Sequence, residues 1–175
     1  MIRLKRKENA GKWSNIAGIL AIVWMCIIFA FSAQTKEESS VVSEGFSYRM
    51  VSTTGLFFHL NIDEEQLREL ANSIEHFVRK GAHMTEYAIL AILLFGWLGG
   101  WEMRQLCRTC TAMGLASLYA CSDEFHQLFV AGRAGQISDV LVDSAGAVFG
   151  LALFLVLVKL VKLWRGRKHT SKHKR

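Results

Sequence analysis

Between Leu106 and Val130 the chain is mostly apolar, yet it carries Ser122-Asp123-Glu124-Phe125-His126-Gln127 near the end of that run. Ionisable groups at membrane depth are costly and by default mark a functional site. The segment therefore constrains the chain twice. It must be a helix or part of a closed barrel, because nothing else satisfies its own backbone in lipid. It must also turn its charges toward other protein elements. The neighbouring apolar runs repeat the pattern, with His83 and Glu86 before it and Asp139 and Asp143 after it.

Four runs approach the length needed to cross a hydrocarbon core of roughly 30 Å: residues 16–33, 82–101, 106–130 and 137–163. The absence of proline from all 175 residues suits helices throughout. The predicted fold is all-α, one integral membrane bundle of four transmembrane helices with an outer amphipathic segment. A hydrophobic fraction of 51% beside a formal charge of +6 is unusual for a small soluble domain. The first run also has the basic leader and small residues (Ala30, Ser32) of a secretory signal, so a cleaved leader is the alternative to a retained helix there.

Basic residues orient the bundle. The leader 1–15 is basic, the connection after the second run holds Arg104 and Arg108, and the tail 164–175 is rich in Lys and Arg. These belong on the cytoplasmic side by the positive-inside rule. Eight of the fifteen acidic residues lie in 34–81 against five basic ones, which makes that stretch the outer segment. Trp13, Trp97, Trp101 and Trp164 all fall at the inner boundaries, where an indole suits the headgroup level. Both termini are thus expected in the cytoplasm, with the protein in the cytoplasmic membrane. A basic tail following a span is read as a lipid-facing topology determinant, with no nucleic-acid partner.

The outer segment reads in two parts. Residues 34–58 suit a loop or a shallow surface helix. In 62–80, Leu67, Leu70, Ile74 and Phe77 recur at helical spacing, with Asn61 as a possible cap and Gly81 leading into the second span. Cys26 and Cys121 are expected to be buried in spans, and Cys107 and Cys110 form a lone C-x-x-C without a partner pair, so the cysteines read as small apolar filler.

Helical rise puts the polar residues at one depth. Counted from the outer ends, Glu86 and His126 lie roughly 6 Å down, Asp123 roughly 10 Å, Asp139 roughly 3 Å and Asp143 roughly 9 Å. Spacing of three and four residues also gives each set one helix face: Lys80, His83, Glu86 and Tyr87; Tyr119, Asp123, His126 and Gln127, flanked by Glu124; then Asp139, Asp143, Gly146 and Gly150. The loop 131–136 brings Arg133 to the mouth, able to balance carboxylates or grip a phosphate or carboxylate bidentately. His83, Glu86, Asp123, Glu124, His126 and Asp139 are the catalytic candidates; Lys80, Tyr87, Gln127, Arg133 and Asp143 are the candidates for substrate binding. Asp123, His126 and Asp139 offer ligand types suited to a divalent ion, but Arg133 can neutralise the carboxylates without one. No metal is therefore assigned, and no cofactor is specified. His59 and His76 lie outside any motif and read as surface residues.

The ordered set Lys80-x2-His83-x2-Glu86-Tyr87, Asp123-Glu124-x-His126-Gln127-x-Phe129-x2-Gly132-Arg133 and Asp139-x3-Asp143-x2-Gly146-x3-Gly150 closely resembles the VanZ-like family of small bacterial membrane proteins. Ser32-Ala33-Gln34 fits the same pattern, with the core of the resemblance over 78–163. Ala131 departs from it, standing where the family commonly has proline. The resemblance implies a four-helix membrane protein, with some members linked to teicoplanin resistance, and supplies no reaction.

Three functional readings follow. In the first, paired carboxylates and histidines perform acid–base work on a lipid-linked or cell-wall precursor. In the second, the protein is a non-catalytic binder or accessory of the envelope. In the third, it is a proton-coupled transporter, a reading weakened by placement of the charges on one side. Polar pairs contribute only about 0.6–2 kcal/mol each as interhelical glue, which a cluster this dense exceeds in purpose.

Overall fold

The structure, a computed structural model, describes the backbone of residues 2–172 and the side chains of 11–166. The cationic side chains of the leader at Arg3, Lys5, Arg6 and Lys7, and of the tail from Arg167 onward, lie outside the described residues. Five α-helices follow one another: α1 (Ile2–Ser32), α2 (Lys36–Phe57), α3 (Glu64–Trp97), α4 (Gln105–Gln127) and α5 (Ile137–Lys172), with a 3₁₀ turn at Leu98–Gly100. No strand occurs among the described residues. Among the described residues, three stretches are long and apolar enough to cross a membrane: Gly11–Ser32 in α1, Glu64–Gly100 over α3 and the 3₁₀ turn, and Ile137–Gly166 in α5. The chain is a helical membrane protein.

Cross-helix contacts give the directions. Ser14 donates to the Trp97 carbonyl and Trp24 Nε1 to the Glu86 carbonyl at 2.9 Å, so α1 runs antiparallel to α3. Tyr119 Oη donates to the Met25 carbonyl at 2.7 Å, and Phe29 packs on His126 with ring centroids 4.5 Å apart, so α1 and α4 run parallel. Gly146 backs onto Met84 and Gly150 onto Ala88, so α3 and α5 also run parallel. Glycine is required there. A Cβ at Gly146 would run into the Met84 carbonyl and lie 2.6 Å from Met84 Cα; one at Gly150 would overlap the Ala88 side chain. Such close backbone approach is how helices gain packing in lipid, where apolar burial supplies no drive.

The core of the bundle is apolar and built of small residues, with Tyr87, Leu90, Ala91, Ala112, Ala116, Ala120, Ala147 and Leu151 fully buried. Outward-facing positions are large and apolar, among them Leu118, Phe125, Phe149 and Leu153. That inversion of the usual soluble pattern suits a lipid surround.

Several boundaries differ from the sequence reading. Of the two readings open for 34–58, loop or surface helix, the helix holds: Lys36–Phe57 is a regular helix, begun by a reciprocal capping box between Thr35 and Glu38. Asp63 with Gln66, rather than Asn61 with Glu64, caps α3. The outer helix and the second span, read as 62–80 and 82–101 joined through Gly81, are one helix α3 from Glu64 to Trp97, about 50 Å at the helical rise, with its first half paired to α2 as an antiparallel hairpin. Of the proposed apolar stripe, Leu67 and Ile74 are half-buried while Leu70 and Phe77 face outward; Ala71 is what packs at the small-residue face of Ser43, Ser47, Val51 and Gly55. α4 stops at Gln127, and 128–130 form a turn instead of the last residues of a span. Trp101 falls outside α3, and Trp97 packs over Gly18 rather than out toward headgroups, whereas Trp13, Trp101 and Trp164 are exposed. All four cysteines lie on the outer surface of the bundle, including Cys26 and Cys121, because their helix faces point away from the core.

Candidate functional site

The polar residues gather at the end of the bundle where α2 leaves it. Lys80 Nζ lies 3.7 Å from Asp139 Oδ1, joining α3 to the first turn of α5. His83 Nδ1 lies 3.6 Å from Glu86 Oε2, one turn apart on α3. Gln127 Nε2 donates to Asp123 Oδ2 at 3.4 Å on α4, and both residues are buried. Glu124 is also buried, and its Oε1 accepts from the backbone N–H of Gln136 at 2.6 Å, which fastens the loop 128–136 over the site.

That loop presents Arg133. Gly132 takes φ +73°, a left-handed conformation that favours glycine, and the Arg133 N–H donates to the Val130 carbonyl at 3.2 Å. Arg133 Nε donates to the Gln34 carbonyl at 3.0 Å, so the guanidinium is pinned from one edge. Burial and the neighbouring Arg79 cation lower its pKa from the ordinary value, partly opposed by Asp123, Glu124 and Glu86. An arginine so far above neutrality stays charged regardless. Ala131 leaves the loop intact despite lacking the ring of proline: its carbonyl accepts from Lys36 N–H at 3.5 Å.

Two cavities flank Arg133. The first, of about 300 Å³, is polar and lined by Lys80, His83, Glu124, Gln127, Arg133, Asp139 and Asp143 among others. The second, of about 590 Å³, is mostly apolar and takes Glu86 into its wall. His83 and Arg133 border both. Asp123, Tyr87 and His126 line neither: Asp123 and Tyr87 are buried behind the polar cavity, and His126 turns toward α1 against Phe29. The expected single cavity is thus two, with seven of the eleven candidate residues in the polar one.

Buried polar atoms without a protein partner concentrate here. Tyr87 Oη, one oxygen each of Asp123 and Asp143, and Nδ1 of His126 make no hydrogen bond within the protein. Neither Tyr87 nor Tyr119 bonds to the carboxylates; Tyr119 donates to the Met25 carbonyl. Among the described residues, no group of three or more His, Cys, Asp and Glu side chains is placed to hold a metal ion. Asp123, His126 and Asp139 are therefore not brought together as a ligand set.

Sequence reasoning missed Lys36, Arg79 and Trp24, which line one or both cavities, and His76, which borders the polar one. Only α2 as a helix, and its place beside α3, reveals them. Ser32 and Gln34 had a signal in the motif at the end of the first run; Ser32 is buried and Gln34 supplies the carbonyl that holds Arg133.

The VanZ/LLP1 family profile matches residues 17–159. The chain belongs to the VanZ/LLP1 family. No curated protein and no solved structure matches it. The matched span runs from α1 into α5 and includes every helix that contributes to the two cavities, so the site lies wholly within the family region.

Proposed function

We propose that this VanZ/LLP1 protein crosses the bacterial cytoplasmic membrane four times with both termini inside, and that its outer-facing polar cavity binds or acts on a lipid-linked or cell-wall precursor. Through that action it alters susceptibility to glycopeptides such as teicoplanin. The observation carrying the reading is the convergence of α3, α4, α5 and the Arg133 loop on one polar cavity at one end of an otherwise apolar bundle.

The parallel register of α3 and α5 supports a fourth span. Two neighbouring helices that cross in the same direction need a return path, and α4 connects the far end of α3 to the near end of α5. Its 23 residues reach about 34 Å, enough to cross. It is less apolar than the other three runs, and the polar residues at its outer end, Asp123, Glu124 and Gln127, are buried inside the bundle.

In chemical terms, His83 beside Glu86 is an imidazole with a carboxylate neighbour, the arrangement of a general base. Asp143 and Glu124 are cavity carboxylates available for the complementary acid role, and Arg133 would hold an anionic group. A non-catalytic binder is the second reading, favoured by Lys80 with Asp139 and Glu124 with Gln136, since groups held in structural contacts are less free to move protons. Transport fits less well, since among the described residues the interior beyond Tyr119 is packed with buried apolar side chains, Leu90, Leu94, Ala116 and Leu151.

Cells carrying the gene, lacking it, or carrying Glu124→Gln or Asp143→Asn should be compared for teicoplanin susceptibility and for lipid-linked precursors. A precursor species that changes with the gene and reverts in both variants supports an enzyme. Changed susceptibility with an unchanged profile supports the binder. Neither changing would defeat the reading.

A further inference from the structure

The second cavity has no counterpart in the sequence reading, and its construction is specific. α1 and α2 both pack along α3 but scarcely touch each other. The gap between them is a groove walled by Trp24 and Phe31 of α1 and by Val42 and Phe46 of α2, and floored by Val78 and Ile89 of α3. Phe31, Val42 and Phe46 are at least half exposed, so the groove is open along its side. It is apolar for most of its length and polar at one end, where His83, Arg79 and Arg133 also border the polar cavity.

The cations at that junction are unequally engaged. Arg79 pairs with Glu75 at 3.2 Å, and Lys80 with Asp139 at 3.7 Å. Arg133 and Lys36 have no carboxylate within 4 Å among the described residues. Because Arg133 Nε is held by the Gln34 carbonyl, its two terminal nitrogens remain for a bidentate acceptor. A guanidinium fork with a lysine lining the same cavity matches a phosphate better than a single carboxylate.

We propose that the two cavities are halves of one site for an amphiphile. A phosphate-bearing headgroup lies in the polar cavity against Arg133 and Lys36, and a hydrocarbon chain lies in the α1–α2–α3 groove, reached sideways from the lipid. This deepens the function proposed above and rests on its reading of the polar cavity as a ligand site. Trp24 is fixed in the groove wall by its bond to the Glu86 carbonyl, which ties the apolar wall to the polar end.

The test uses full-length protein in detergent micelles, with native mass spectrometry of bound lipid. Phosphatidic acid and phosphatidylcholine of identical chains are the probes, and glycerol phosphate is the soluble competitor. Phosphatidic acid should be retained in preference to phosphatidylcholine, and glycerol phosphate should bind more weakly because it lacks the chain. Arg133→Gln should weaken phosphatidic acid about tenfold, the loss of one charge-assisted pair. Val42→Trp, a change at an exposed position that fills the groove, should weaken it comparably while leaving glycerol phosphate unaffected. Equal retention of phosphatidic acid by either variant, or glycerol phosphate binding as tightly as the lipid, overturns the proposal. The assay contains no antibiotic and no cells. Loss of phenotype in Asp143→Asn cells without phosphatidic acid retention would therefore sink the amphiphile and leave the polar-site reading standing. Retention with no cellular phenotype would support the amphiphile and sink the envelope role.

Discussion

At Gly146 and Gly150 the backbone of α5 lies directly on Met84 and Ala88 of α3, and that close approach brings Asp139 and Asp143 to the same cavity as Lys80 and His83. Gly146→Ala should separate the helices and cost about 1–3 kcal/mol, as overpacking does, seen as a lower unfolding temperature in detergent. Asp143 separates glue from site. It is buried with an unpartnered oxygen, and burying a charge without a partner is costly, so replacing it removes a penalty. Asp143→Asn should therefore hold or raise the unfolding temperature while abolishing the effect on the envelope. A loss of about 0.6–2 kcal/mol with the phenotype intact would make Asp143 interhelical glue instead. At this scale the sequence was informative. Helical spacing put Lys80, His83, Glu124, Gln127, Asp139 and Asp143 together, because the period of a helix is fixed by its backbone. It could not show that His126, on the same α4 register as Asp123, turns toward Phe29, since a helix face does not name its neighbour.

Among the elements, α3 departs most from the sequence reading. The outer amphipathic helix and the second span were read as separate segments joined through Gly81, and they are one continuous helix; nothing lies within 4 Å of where a Cβ on Gly81 would sit. Gly81→Ala should therefore stabilise by about 0.5–1 kcal/mol, the usual gain inside a helix, measurable as a raised unfolding temperature. A fall would place a hinge there. α2 was hard to see for a different reason. Its buried positions are Ser43, Ser47, Val51 and Gly55, small and largely polar, while Val41, Val42 and Phe46 face outward. A reading that assigns apolar residues to the interior finds no stripe, although the Thr35–Glu38 capping box was present as a start signal. With α2 unplaced, the groove it forms with α1 was invisible.

Across the whole molecule, the direction of each helix carries the functional account. The parallel pair α3 and α5, the antiparallel α1 and the return path through α4 put the loop 128–136 and the α2–α3 hairpin at one end, and the 3₁₀ turn with Arg104 at the other. Three of the four apolar runs, those of α1, α3 and α5, were legible from composition as stretches long enough to cross, because bilayer thickness sets the length needed. The division of the polar cluster into two cavities depends on which helices touch, which no local pattern encodes. The outward-facing site is tested most directly by labelling intact cells with a membrane-impermeant maleimide after replacing Cys26, Cys107, Cys110 and Cys121 with serine. Ala134→Cys, at the rim of the polar cavity, should label before lysis, and Gln105→Cys, at the start of α4, only after it. Labelling of Gln105→Cys in intact cells with Ala134→Cys protected would contradict the account.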